Sequence, residues 1–254
     1  MDDVTPGPTP LEHLPEDDWS RALAIVAHPD DMEYGAGAAV ARWTGQGKEV
    51  VYCLVTSGEA GIDGLHPDQA GPLREAEQLA ACAAVGVSRC DFLRRPDGVV
   101  EYGVELRRLL AGIVRRHRPD IVLTHNFRET WEGGFLNQAD HMAVGRAVVD
   151  AVRDAGNRWI FPEQLGGADS TEGLEPWDGV RAVWAAGSPR ARHGVDITDS
   201  FEAGIDSLLA HQAYLAGLGQ TADEARGFLT GMAQGTGARL GAALGVAFEV
   251  IAVR

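Results

Sequence analysis

Positive charge is scarce in this 254-residue chain, where 22 lysines and arginines stand against 37 aspartates and glutamates for a net charge of −15. The sequence pI is about 4.9. So acidic a balance makes nucleic acid and anionic membrane surfaces poor partners. Cysteine is equally sparse. Cys53, Cys82 and Cys90 are an odd count with no C-x-x-C spacing, and all three lie among apolar residues. They read as small buried hydrophobes in a reducing compartment. No apolar run reaches membrane-spanning length, and the N-terminus is acidic and proline-rich rather than a signal peptide. A soluble, cytoplasmic protein is expected. There is no Gly-x-Ser-x-Gly and no reactive-cysteine context, which removes the serine and cysteine hydrolases. Gly35-Ala36-Gly37 lacks the third glycine of a dinucleotide fingerprint and follows His-Pro-Asp-Asp rather than the strand itself, so a nicotinamide site is set aside.

What is present is an ordinary globular composition, 45% hydrophobic and 23% charged, in a chain long enough for a sizeable core. Residues 1–20 form an irregular leader of proline and acid, and residues 21–254 read as one domain without internal repeats. Apolar strands are expected at 22–27, 49–55, 90–93 and 120–124. They alternate with helices at 35–46, 73–85 and 104–117, and each strand end delivers a polar loop. That alternation predicts an α/β fold with a mostly parallel, Rossmann-like sheet flanked by helices on both faces. A helix from 138 to about 155 follows. Additional C-terminal elements are strands at 180–185, 194–197 and 246–251 and helices at 201–215 and 222–244. Residues 156–179 read as irregular.

The stretch that organises the chain is Ala27-His28-Pro29-Asp30-Asp31. The short apolar run before it suits a buried strand of a parallel sheet, and Pro29 ends that strand because it has no N–H to donate. His28, Asp30 and Asp31 are thereby delivered to the carboxyl edge of the sheet, where open α/β folds bind ligands. The ordinary reading of such a group is helix capping by Asp30-Asp31. The other reading is half of a metal site. Zinc hydrolases take three protein ligands from His and carboxylate, and His28 and Asp31 sit one turn apart. His141, in the helix-opening Gln138-Ala139-Asp140-His141, is the best third ligand. His13 lies in the leader and His66 precedes a proline. His117 and His193 lie in polar stretches that read as exposed, and His125 and His211 suit the rim of the site.

Strand-Ala-His-Pro-Asp-Asp followed by a distant Asp-His resembles the N-acetylglucosaminyl de-N-acetylase family (PIG-L-like, LmbE-like), which includes deacetylases of mycothiol and GPI-anchor biosynthesis. The likeness extends over about residues 20–254. Arg74-Glu75, Asp97-Gly98, Pro119-Asp120, Val195-Asp196-Ile197-Thr198 and Ala210-His211-Gln212 support it. The resemblance implies that His28, Asp31 and His141 bind Zn2+ or another divalent metal, that Asp30 is the general base, and that Arg74 and Asp97 bind substrate. His125 is placed with them at the rim. It implies a small amino-sugar substrate from which an N-acetyl or other N-acyl group is hydrolysed. One position departs from the pattern: the family's His-Pro-Asp-His is Gln138-Ala139-Asp140-His141 here. The family's first histidine stabilises the oxyanion or donates a proton. Gln138 can donate an N–H but cannot shuttle a proton, and Asp140, that histidine's partner, is left to cap the helix. Either Asp30 serves as both base and acid, the reading favoured here, or His125 substitutes. Two alternatives stay open: a family member that binds a sugar-like ligand without turnover, kept alive by Gln138, and a non-haem iron enzyme, whose triad is also two His and one carboxylate. The sequence leaves the oligomeric state open, a homo-oligomer included.

Overall fold

In the computed structural model, residues 9–166 and 173–254 are described. Eight strands form one sheet in the order β1-β7-β8-β6-β5-β2-β3-β4. They are β1 (Glu12–His13), β2 (Arg21–Val26), β3 (Glu49–Leu54), β4 (Arg89–Phe92), β5 (Ile121–His125), β6 (Ala182–Ala186), β7 (His193–Asp196) and β8 (Gly245–Ala252). The run β6-β5-β2-β3-β4 is parallel, β8 is antiparallel to both β6 and β7, and β1 pairs in parallel with β7. The mostly parallel α/β sheet with extra C-terminal strands is as expected. The strand at Glu12–His13 is not: it lies inside the stretch read as an irregular leader, and Leu11 and Leu14 on either side of it are buried.

The near-continuous apolar strands are explained by the sheet having two cores. Side chains alternate across a strand, so Ala22, Ala24 and Val26 of β2 enter one core while Leu23 and Ile25 enter the other. Helices α4 (Val104–His117) and α5 (Ala139–Gly156) cover the second face. The first face takes α1 (Asp31–Gly35), α2 (Gly37–Gly45), α3 (Pro67–Ala84), α6 (Phe201–Leu209), α7 (Gln212–Gly217) and α8 (Ala222–Leu240). There Trp19, Trp43, Trp184 and Phe248 pack ring against ring, with centroids 5.3–6.2 Å apart.

Several element boundaries differ from the sequence reading. α3 starts at Pro67 rather than near 73, because Pro67 occupies the first helical turn, where a missing N–H costs little, and the His66 side chain accepts from the Asp68 N–H. The helix expected at 35–46 is two, broken at Ala36. The one expected at 201–215 is also two, broken at Ala210-His211. α8 stops at Leu240, where Gly241 turns left-handed (φ 77°). His117 is buried and 2.8 Å from Asp91, not exposed as its polar neighbours suggested. Within 156–179, Pro162–Gln164 forms a 3-10 turn; residues 1–8 of the leader and 167–172 of this segment lie outside the described residues. Among the described residues no helix is long and apolar enough to cross a membrane.

From β2 the chain runs outward to β3 and β4, then returns to the other side of β2 as β5. The carboxyl ends of β2 and β5 therefore flank a topological switch point, the place where open sheets leave a crevice. His28-Pro29-Asp30-Asp31 follows β2, and His125 ends β5.

Candidate metal centre

β2 ends at Val26, three residues before Pro29, and Asp30 takes a left-handed conformation (φ 92°, ψ −20°) before α1 begins. A non-glycine residue there is strained, and three contacts hold it. The Asp30 N–H donates to Gln78 Oε1 (3.0 Å), while Arg74 donates to the Pro29 carbonyl (2.5 Å) and to Asp30 Oδ1 (3.2 Å). Neither aspartate uses its side chain to cap α1, so the capping reading fails; Asp31 Oδ2 instead accepts the His28 N–H at 2.8 Å.

His28, Asp31 and His141 converge, with one potential ligand atom from each inside a 4.8 Å cluster. Asp31 Oδ1 is 3.0 Å from His141 Nε2, and His28 Nδ1 faces His141 Nε2 at 3.3 Å. Two imidazole nitrogens directed at one another beside a buried carboxylate form a donor set that a divalent cation fits. The remaining atoms of the ligands are already engaged. His28 Nε2 lies 3.0 Å from Asp97 Oδ1 and 3.4 Å from Asp140 Oδ2, and His141 Nδ1 is 2.9 Å from Asn137 Oδ1. This is the arrangement in which carboxylates and carbonyl oxygens orient metal-binding histidines.

His28, Asp97 and Asp140 form a second cluster of suitable atoms, sharing His28 through its opposite nitrogen. Its carboxylates are already bound, however. Asp140 accepts from the N–H groups of Gly98 (2.8 Å) and Val100 (3.0 Å), and Asp97 accepts from Ala60 N–H (2.8 Å). The first cluster is therefore the better candidate, and the second holds the His28 ring. The sequence reading of Asp140 as a helix cap is corrected. The cap position of α5 is Gln138, again without a side-chain capping bond, and both aspartates spend oxygens on protein.

The charges follow this packing. Burial pushes Asp31 up, but His141 and His125 beside it hold it well below the usual carboxylate range. Burial alone would lower His28; Asp140, Asp31 and Asp97 more than offset it and raise it well above the ordinary histidine value. His125 is lowered, chiefly by burial. Asp30 is pushed up to about 6 by burial, with Arg74 opposing.

All the sequence-predicted site residues except Asp140 line one cavity of about 880 Å3. His125 is buried rather than at a rim, with Nδ1 3.1 Å from Asp31 Oδ2. Arg74 is 2% exposed and spends its terminal nitrogens on Pro29, Asp30 and Gly58, with the guanidinium 3.9 Å over the Tyr214 ring. Its first task is thus to hold Asp30, and only its Nε is without an acceptor among the described residues. The loop accommodates it because a Cβ on Gly58 would lie 2.2 Å from the guanidinium. Gln138 is exposed at the cavity wall. Sequence reasoning missed Gln78 and Asn137, whose amides act only through space. His211 is not at the rim. It is fully buried 3.7 Å from Glu33, whose other oxygen accepts from Gln78 (2.9 Å). Trp131 stands edge-on to His141 at 6.0 Å.

Comparisons with known proteins identify the family and the fold. Residues 23–152 match the family profile described as PIG-L, GlcNAc-PI de-N-acetylase. A diacetylchitobiose deacetylase of Thermococcus kodakarensis is 30% identical over 201 residues, covering 78% of this chain and 72% of that protein. A 1D-myo-inositol 2-acetamido-2-deoxy-alpha-D-glucopyranoside deacetylase of Kineococcus radiotolerans is 34% identical over 175 residues, 56% of this chain but only 46% of the relative. The structure of N,N'-diacetylchitobiose deacetylase from Pyrococcus horikoshii superposes with a TM-score of 0.80 at 23% identity, over 92% of this chain and 85% of that one, a likeness of fold. The chain belongs to the GlcNAc-PI de-N-acetylase (PIG-L) family.

Proposed function

We propose that this protein hydrolyses the N-acyl amide of an amino sugar, with His28 Nδ1, Asp31 and His141 Nε2 holding a divalent metal, zinc by the nature of the donor set. Such a cation supplies a Lewis acid that polarises the amide carbonyl and acidifies water. The residues supply the rest. Asp30 lies beside the ligand cluster without belonging to it and takes the proton from the attacking water. It then returns the proton to the departing amine. Arg74 fixes the carboxylate through Oδ1, and Asp97 and Asp140 fix the His28 ring. Gln138 presents an N–H to the charge that develops on the carbonyl oxygen. The observation that carries this reading is Asp30 itself, a buried carboxylate in a strained backbone conformation at the cavity wall. A protein that only binds sugars has no use for it.

The amino-sugar substrate is carried over from the names of the two relatives, both deacetylases of N-acetylated amino sugars. The net charge of −15 disfavours polyanionic partners, and the three free cysteines suit the cytoplasm. A parallel helix-covered sheet is also not the all-β scaffold usual for the non-haem iron alternative. Amine release from N-acetylglucosamine, its glycosides and diacetylchitobiose tests the reading. Release that disappears with a chelator and returns with Zn2+ supports it. Release unaffected by chelation contradicts it.

A further inference from the structure

The cavity is larger and less polar than an acetamido sugar requires. At about 880 Å3 it is near the upper end of small-ligand pockets, and Asp30 shares its lining with two chemically different sets of residues. Arg74, Asp97, Gly98 and Gln138 make one, polar arm of that lining; Tyr34, Phe201, Phe228, Leu229, Met232 and Val246 make a second, apolar one. α8 explains the second arm. Its Ala225, Leu229, Ala233 and Leu240 form a buried stripe, and Phe228 and Met232, four apart and one position off that stripe, face the cavity. These two are 52% and 44% exposed, and Leu218 beside them in the cavity wall is 53% exposed. Phe228 meets the edge of Tyr34 at 5.9 Å. Single exposed apolar residues are commonplace, but several gathered on one concave wall mark a binding surface.

Building on the amidase reading, we propose that this arm receives the aliphatic chain of the substrate's acyl group, so that the preferred substrate is an amino sugar acylated with a medium-length chain rather than with acetate. The arm starts at Tyr34, one helical turn beyond Asp30, and the Tyr34 hydroxyl is already engaged by Gln220 (3.0 Å), so its ring is an apolar surface there. With the amide carbon at Asp30, a chain on that carbon enters the apolar arm and the ring hydroxyls lie toward Gln138 and Asp97. The opposite orientation would set hydroxyls against Phe228 and Met232, which offer them no hydrogen-bond partner.

The test measures kcat/KM on N-acylglucosamines from acetyl to decanoyl, alongside N-acetylglucosamine carrying an octyl aglycone. The expected result is a rise of roughly fourfold for each methylene buried, reduced to less than about twofold in Phe228→Ser/Met232→Ser and restored in Phe228→Leu/Met232→Leu. A profile flat or falling with acyl length overturns the proposal, as does a gain confined to the octyl glycoside. Calorimetry with octanoate and acetate on the zinc-loaded protein needs no turnover. Octanoate binding at least about 100-fold tighter supports the acyl arm; equal affinities contradict it. Tight octanoate binding without amine release from any amide would sink the amidase reading and leave the arm standing.

Discussion

At the scale of single residues, the candidate centre is held by side chains that touch no substrate. Asn137 shows how. Its Oδ1 faces His141 Nδ1 and also accepts the Gln138 N–H, while its Nδ2 donates to the carbonyls of Asn126 and Arg128. One amide thus fixes the His141 ring and the end of the loop that leads into α5. With Nδ1 bound to an acceptor, the His141 lone pair lies on Nε2, the nitrogen that faces Asp31. Removing that partner weakens metal ligation without removing a ligand. Asn137→Ala is expected to lower zinc affinity by about 10- to 100-fold, measured by competition with a chromogenic chelator; unchanged affinity would show that His141 needs no such support. In the sequence, His28 and Asp31 were legible because they are neighbours at a strand end broken by Pro29. His141 was recognisable from the Asp-His that opens a helix. Asn137 and Gln78 were not, because their roles depend on contacts between segments 4 to 48 residues apart, and neither amide belongs to a motif.

At the scale of elements, Arg115 joins α4 to the end of α5, the helix that carries His141. It is 1% exposed and donates to the carbonyls of Asp154, Ala155, Asn157, Ile160 and Phe161, and to Gln164 Oε1. The carbonyls at the end of a helix lack intrahelical partners, and here one guanidinium on α4 serves the end of α5 and the turn after it. Arg115→Leu leaves several buried acceptors unpaired at about 1–3 kcal/mol each, of which relaxation and water recover part. A loss of at least about 3 kcal/mol in denaturant unfolding is expected, with earlier proteolysis at 156–166; a change below about 1 kcal/mol would contradict this. The alternation of strands and helices was legible from the apolar runs and their punctuation. The break at Ala210-His211 was not. The pattern there is helical throughout, and the kink accompanies the burial of His211 against Glu33, a tertiary demand. β1 was hidden for a different reason: a two-residue edge strand of Glu and His has no apolar signature of its own.

At the scale of the whole molecule, acidic groups outside the candidate metal centre fasten the sheet. Burial pushes Asp120 up, but the N–H groups of Ser20 and Arg21 that it accepts (2.9 and 3.0 Å) hold it below the usual 3.8. Glu249 on β8 is likewise pushed up by burial and pulled below its usual 4.5 by Arg128 and Ser188. A carboxylate whose folded pKa is depressed contributes stability that is present above its unfolded pKa and lost as pH falls through the folded one. The melting temperature is therefore expected to hold above about pH 5 and to decline below about pH 4, with a shallower decline in Asp120→Asn. A melting temperature that rises on acidification would contradict that assignment. The order of the strands was beyond the sequence, since nothing local tells β5 to return beside β2. Yet that return opens the crevice and sets His125 against Asp31.

The proposed mechanism requires Asp30 to do chemistry beside a metal it does not bind. Its most direct test is amine release from N-acylglucosamines by the zinc-loaded protein and by Asp30→Asn, with zinc content determined in both. Equal, stoichiometric zinc and a kcat about 10²- to 10⁴-fold lower in the variant are expected. Equal activity in the two proteins, or loss of zinc together with activity, would contradict it.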